Sequence, residues 1–466
     1  MDESKVIEGE WHEIEDNDDD EITEIEEAED EDDEPDEPEY PAWYDGKHLD
    51  EVKFCAEFLR EHPMICIRGE FFTVDGPITD EDEIRKQILD KIKPVLTTGL
   101  AKTARNLLNA LRIECWSPPL PIQQDRIHFA NGTLMLDGGF TEEKDYCLNR
   151  LPIRYDQDAP APVTWLHFLD ELLYPDDIPT LQEYMGYCLI PSTKGQKMLV
   201  LKGKGGEGKS RIGLVMQAIF GKNMKNGSIA KVEASPFARA DLEHELVMVD
   251  DDMKLEALAQ THHVKSIVTA EMPMDLERKG VQSYQGQIFV RFMAFGNGDL
   301  QSLYDHSDGF YRRQLILSTR DKPADRKDDP FLAEKMCAEA EGIVLWALEG
   351  LRRLIANDYA FTVSDRAQAN LTEVKKDANN ILDFLSSEGY IAFESGEKIT
   401  AKQLYDIYCL WCEDNAFKPR PARSFSMYLI GHKEDYGLEY NNKVTNAQGR
   451  RVWGYWGLKP LVTPSP

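Results

Sequence analysis

The sequence predicts an α/β fold: a core of strands and helices set between an α-rich N-terminal region and a C-terminal unit of two helices and a hairpin. Three observations predict it. Apolar strand-like runs alternate with helical ones over residues 195–320, the pattern of a sheet covered by helices. The run Met198-Leu199-Val200-Leu201 leads through a glycine-rich loop into a helical stretch, Ile212 to Phe220. Residues 41–190 carry amphipathic helical patterns such as Glu51 to Glu61 and Glu81 to Lys93, with short strand candidates at Ile127-His128-Phe129 and Thr133-Leu134-Met135-Leu136.

At 466 residues the chain exceeds one ordinary core, and composition breaks divide it into five regions. Residues 1–40 hold 23 Asp or Glu against the single Lys5; such a segment cannot bury enough apolar surface to offset its ordering entropy, so an acidic disordered tail is expected. An α-rich domain follows at 41–190, the α/β core at 191–320 and a helical connector at 321–392, with helical patterns from Phe331 to Ala356 and from Ser364 to Glu388. Residues 393–466 read as helix, helix and hairpin, which suggests a winged helix-turn-helix. The net charge of −32 is misleading as a whole, because 398–466 hold ten Lys or Arg and six Asp or Glu. A nucleic-acid partner is therefore expected at that end. No apolar run approaches the roughly 18 residues of a membrane span, and Met1-Asp2-Glu3-Ser4 opens no signal or transit peptide, so no membrane partner and a cytoplasmic location are expected. The eight scattered cysteines read as reduced thiols, and Cys409-x-x-Cys412 has no second pair or histidine at zinc-ligand spacing.

The chemistry is concentrated in the core. Gly203-Lys204-Gly205-Gly206-Glu207-Gly208-Lys209-Ser210 satisfies G-x-x-x-x-G-K-[ST] between a strand and a helix, where backbone N–H groups and the helix dipole attract phosphate. Lys209 is expected at the β- and γ-phosphates and Ser210 at Mg²⁺. Forty positions after Ser210, the apolar run Leu246-Val247-Met248-Val249 ends in Asp250-Asp251-Asp252. Asp250 is assigned to the metal and Asp251 to the attacking water, with Asp252 able to share either role. A strand-like run from Gln287 to Phe295 ends at Gly296-Asn297, which places Asn297 to position that water. Gly309-Phe310-Tyr311-Arg312-Arg313 precedes the apolar Leu315-Ile316-Leu317; an arginine there suits a finger reaching a neighbouring subunit's γ-phosphate, Arg313 being preferred over Arg312. ATP and Mg²⁺ are the ligands these residues imply. The plain alternatives are a glycine-rich surface turn, a solvated acidic turn, an asparagine chosen for turn formation and salt-bridged surface arginines.

Residues 125 to about 455 resemble the superfamily 3 helicases of the phage and poxvirus-type primase-helicase group. The matching phrases include Asn131-Gly132-Thr133-Leu134, Trp165-Leu166-x-Phe168-Leu169 and Leu181-Gln182-Glu183-Tyr184-Met185-Gly186-Tyr187 before the glycine loop, and Met274-Asp275-Leu276-Glu277-Arg278-Lys279-Gly280 with Asn297 after it. Glu341 to Leu351 and Thr400-Ala401-Lys402-Gln403-Leu404-Tyr405 continue the likeness. The resemblance implies an AAA+-like P-loop ATPase core, a homo-oligomeric ring of six subunits that moves 3′ to 5′ on single-stranded DNA, and a C-terminal winged helix able to meet duplex DNA. By the same resemblance Arg278 and Lys279 lie on a channel hairpin. Gly280 stands where some relatives have histidine. Arg420 and Arg423 flank the expected recognition helix, and Lys443, Arg450 and Arg451 flank or lie on the wing; charge there supports phosphate contact rather than base reading. No primase-polymerase domain is legible, so primer synthesis would fall to a separate partner.

Three functions are thus in play: an ATP-driven DNA helicase of phage or mobile-element replication, an ATP-switched replication initiator without processive unwinding, and a small-molecule kinase. The hairpin cations favour the first, and no acceptor pocket or lid supports the third.

Overall fold

A computed structural model describes residues 40–253, 260–270, 272–280, 282–297, 308–322, 328–378 and 380–463; the acidic tail, up to residue 39, lies outside them. At its centre are five parallel strands: β1 (Met198–Lys202), β2 (Met224–Asn226), β3 (Val247–Asp250), β4 (Arg291–Gly296) and β5 (Gln314–Ser318). They pair in the order β5-β1-β4-β3-β2. Ala294 lies opposite both Val200 and Asp250, and Ile316 opposite Val200. β3 and β4 are buried along their whole length, and β1 from Met198 to Leu201. Such continuous burial is what a parallel sheet covered on both faces requires.

Alternate strand residues feed the two faces. Leu199, Leu201, Val249, Met293, Phe295 and Leu317 pack on one side with helices Val163–Leu172, Ile178–Cys188, Lys209–Phe220 and Ala340–Ala356. Met198, Val200, Met248, Phe292 and Ala294 pack on the other with helix His262–Thr269 and with Leu371 and Val374. Ile127, Phe129 and Leu134, from the antiparallel pair Arg126–Phe129 and Gly132–Met135, belong to the first cluster. The apolar core therefore runs across the boundary expected at residue 190. Separate clusters form around Trp43, Phe54, Phe58, Ile88 and Leu107 and around Phe384, Tyr408, Phe425 and Tyr455.

Several elements differ from expectation. The strand expected from Gln287 begins only at Arg291, a cation 2% exposed. Its guanidinium donates to the carbonyls of Cys188 (2.9 Å), Ser192 (3.2 Å), Ile190 and Phe289, tying the end of helix Ile178–Cys188 to the sheet. The helix expected from Phe331 to Ala356 is two, Leu332–Ala338 and Ala340–Ala356. Glu339 between them accepts from the amides of Thr164 and Trp165, each at 3.0 Å, and from the Thr164 hydroxyl at 2.6 Å. It thereby satisfies donors that the first turn of helix Val163–Leu172 cannot pair internally. The run from Ser364 to Glu388 likewise forms Asp365–Ala378 and Asn380–Ser386.

At the C-terminal end, helices Ala401–Asp414 and Ala422–Gly431 pack with the antiparallel strands Glu439–Thr445 and Arg451–Pro460. An unanticipated strand, Ile391–Thr400, pairs with Arg451–Pro460 and completes a three-stranded sheet. No helix of the described residues is long and apolar enough to cross a membrane.

Helices Ile178–Cys188 and Ala340–Ala356 meet at glycines: a Cβ at Gly186 would run into the backbone of Ala347 and Leu351, and one at Gly350 into that of Gln182 and Glu183. Gly186→Ala must push this pair apart. The expected loss is about 1–3 kcal/mol, read as a lower urea midpoint at unchanged m-value.

Candidate functional site

β1 ends at Lys202, and Gly203–Gly208 form the turn into helix Lys209–Phe220. Gly205, Gly206 and Gly208 have φ of 107°, 83° and 111°, a region where side chains are strained. Two hydrogen bonds pin the base of the turn to the flanking strands, Gly203 N–H to Gly296 O (3.0 Å) and Thr319 N–H to Lys202 O (2.8 Å). Within the loop, the Glu207 carboxylate accepts from the amides of Lys204 (2.5 Å) and Gly205 (2.8 and 3.0 Å) and from the Lys209 ammonium (2.9 Å). Glu207 is 3% exposed and Lys209 8%. Burial works to raise the Glu207 carboxyl, but the Lys209 ammonium and the loop amides outweigh it and hold the group below its ordinary range. The loop is thus folded around an anion supplied by the chain itself. Ser210, the second helical residue, is exposed.

Because β4 lies between β1 and β3, the residues leaving β4 emerge between the glycine loop and the aspartates. A cavity of about 470 Å³ is lined by Gly205 to Arg211, Asp251, Asp252, Met253, Phe295, Gly296 and Asn297. The Asn297 amide lies beside Gly205. Asp251 and Asp252 are exposed, whereas Asp250 is 6% exposed and its Oδ2 accepts from the Ile229 amide at 2.9 Å. Burial raises the Asp250 carboxyl above its ordinary range, and the neighbouring Asp252 adds to the rise. The carboxylates that line the cavity are therefore Asp251 and Asp252, one position later than the pair assigned from the sequence. Asp252, which the sequence reading allowed to share either role, lines the cavity as Arg211 does; Arg211 and Thr319 carried no sequence signal that singled them out, since their places follow from register and loop path.

Arg312 and Arg313 sit at the other end of the sheet: the Arg313 carbonyl accepts from Met198 N–H, at the start of β1, at 2.7 Å. A five-residue strand separates them from the glycine loop by about 16 Å, beyond the reach of an arginine side chain. The Arg313 guanidinium folds back onto the Gly309 carbonyl, while Arg312 is exposed and its carbonyl accepts from Lys197. Of the two side chains, that of Arg312 is the more exposed, whereas the sequence reading preferred Arg313.

Met274–Leu276 and Tyr284–Gly286 form an antiparallel hairpin with Lys279 and Gly280 exposed near its tip. Gly280 has φ of 77°, which accounts for glycine at this turn. Arg278 is engaged, paired with Glu70 and with Glu243 (2.9 Å). Glu243 also accepts from the Tyr284 hydroxyl and pairs with Arg68 (3.3 Å), which lies over the Tyr284 ring at 4.8 Å. The expected channel cations thus divide, one exposed and one held in an ion-pair cluster with the N-terminal region.

Among the C-terminal cations, Arg423, Lys443, Arg450 and Arg451 are exposed. Arg420 is half-buried; its amide donates to the Tyr408 hydroxyl (3.0 Å), its carbonyl accepts from Tyr405 (2.8 Å), and burial lowers its guanidinium pKa. Trp453, 54% exposed, stacks on Tyr440 at 4.9 Å beside these basic residues. Among the described residues no group of three or more His, Cys, Asp or Glu is placed to hold a metal.

Glu245, next to this ion-pair cluster, is pushed up to about 7 by burial. A carboxyl raised in the folded state weakens folding most above that value and progressively less as pH falls toward the unfolded pKa. Glu245→Gln is expected to stabilise the chain at pH 8 by about 1–2 kcal/mol after solvent screening, with the gain fading between pH 7 and 5. Urea melts across that range measure it; an equal gain at every pH would contradict the assignment.

A family of unknown function, DUF5906, matches residues 201–313, from the end of β1 to the Arg312–Arg313 turn. No curated protein matches the sequence. In fold the chain is similar to the apo structure of the NrS-1 C-terminal region (305–718), at 11% identity and a TM-score of 0.51 over 89% of this chain and 100% of that one. It is likewise similar to the A form of that region, at 11% identity and a TM-score of 0.51 over 87% and 99% of the two chains.

Proposed function

We propose that this chain is an ATP-dependent, ring-forming DNA helicase acting in replication of a phage or mobile element, with a P-loop ATPase core and a winged-helix C-terminal unit. The observation that supports this reading best is the convergence of the glycine loop, Asp251, Asp252 and Asn297 on one cavity at the C-terminal ends of β1, β3 and β4. Open α/β sheets bind ligands at that edge.

The donors fit a nucleotide's phosphates, since the Lys204 and Gly205 amides and the Lys209 ammonium already surround a carboxylate. Mg²⁺ held by Ser210 and an Asp251 or Asp252 carboxylate would neutralise phosphate charge. The other carboxylate of that pair accepts a proton from, or orients, the attacking water, and Asn297 aligns it between acid and loop. Asp250 shapes the end of β3 instead of holding metal. Arg312, a strand's length from its own loop, supplies charge to a neighbouring copy's site. Lys279 meets the DNA backbone from the hairpin tip, and Arg423, Lys443, Arg450 and Arg451 meet it from the C-terminal surface; such contacts are independent of base sequence.

A second reading, an ATP-switched initiator without processive unwinding, is favoured by one observation: Arg278 is tied to Glu70 and Glu243. Lys279→Ala separates the two. A helicase loses unwinding while keeping duplex binding, and an initiator changes in neither.

The principal test is steady-state ATP hydrolysis with and without single-stranded DNA. DNA should stimulate the wild type, Lys209→Ala should lower kcat about 100-fold or more, and mixing inactive Lys209→Ala with inactive Arg312→Ala subunits should restore activity. Hydrolysis indifferent to DNA, with no restoration on mixing, would remove the ring motor.

A further inference from the structure

Glu207 occupies the place in the loop where the donors converge. Its two oxygens take the Lys204 and Gly205 amides and the Lys209 ammonium, the groups that a nucleotide's phosphate needs from such a loop. One set of donors cannot serve both anions. The carboxylate is almost fully enclosed, so it is seated in the nest and does not merely border it.

The flanks of Glu207 are built for movement. Gly206 and Gly208 on either side have φ of 83° and 111°, and nothing lies within 4 Å of where a Gly206 side chain would begin. The loop opens on the cavity shared with Asn297, Asp251 and Asp252, which leaves room for the side chain to swing out. Lys204, by contrast, points its ammonium away to Asp321 at 2.8 Å.

We propose that Glu207 is a built-in competitor for the nucleotide: its carboxylate holds the phosphate seat in the free protein, must leave before a di- or triphosphate enters, and so sets the affinity and rate of nucleotide capture. The proposal rests on reading the loop as a nucleotide site. A seat filled nine-tenths of the time weakens apparent binding about tenfold, and an entry step that waits for the carboxylate to leave gives a capture rate that levels off with concentration.

The test uses the full chain and a fluorescent ADP analogue with Mg²⁺, comparing wild type, Glu207→Ala, Glu207→Gln and Lys209→Ala by equilibrium titration and stopped flow. Glu207→Ala should bind about tenfold tighter, with Glu207→Gln between it and wild type. The wild-type association rate should reach a plateau that the alanine variant lacks. Circular dichroism confirms that each variant is folded, and Glu207→Gln, which keeps the side chain's shape, serves if the alanine form is not. Equal or weaker binding by the Glu207 variants, with binding still lost in Lys209→Ala, would overturn the competitor and leave the nucleotide site standing. Absence of binding in wild type and Glu207 variants alike would overturn both.

Discussion

The arrangement of the site depends on the register of the central sheet. Ala294 pairs level with Val200 on one side and Asp250 on the other, so Asp250 lies two residues short of the point where β1 gives way to the glycine loop. Parallel strands without a bulge keep such offsets along their whole length, because their hydrogen bonds are evenly spaced and tie each strand residue by residue to its neighbour. Asp250 therefore remains in the sheet against Ile229, and the next two aspartates face the cavity. A shift of one residue would change which carboxylate meets the loop and would turn the apolar side chains of β3 to the wrong faces.

Buried charges hold the surrounding layers on this sheet. Arg291 gathers carbonyls from the end of helix Ile178–Cys188 and the turn after it. Glu183, 1% exposed, accepts from Arg353 at 2.6 Å and from the Thr362 amide and hydroxyl at 2.7 Å. Arg150 donates to the carbonyls of Val74 (2.6 Å), Phe129 (2.7 Å) and Asp145 (2.9 Å). Each joins segments far apart in sequence. A buried charge tolerates few alternatives, since losing one partner leaves a desolvated group uncompensated, and this gives the contacts between layers a definite geometry that apolar packing alone leaves looser.

The hairpin cluster connects two parts of the molecule through one strand. Glu243 and Glu245 stand just before β3, and the aspartates stand at its far end. Arg278 and Tyr284 of the hairpin and Arg68 and Glu70 of the N-terminal region all meet at or beside Glu243. The ion pairs of the hairpin and the carboxylates of the cavity are thus set at opposite ends of one strand, while Lys279 at the hairpin tip and Arg423, Lys443, Arg450 and Arg451 on the C-terminal surface stay exposed.

What the sequence determined by itself is local. Continuous apolar runs marked β1 and β3, and the glycine spacing marked the loop, because a chain that must turn with positive φ and begin a helix needs glycine at those positions. Helix Glu51–Glu61 was legible from its helical periodicity, and the pair Arg126–Phe129 and Gly132–Met135 from short runs bounded by turns. Tertiary structure alone decided the rest. It broke the run after Phe331 at Glu339, whose carboxylate is drawn to another helix's first turn, and it brought in Ile391–Thr400, a polar strand whose only signal is its partner. It buried Asp250 and left Asp251 and Asp252 to line the cavity, left Arg312 more exposed than Arg313, and engaged Arg278 in ion pairs. Each of these choices rests on register, burial or a charge partner distant in sequence, and neighbouring residues carry no record of any of the three.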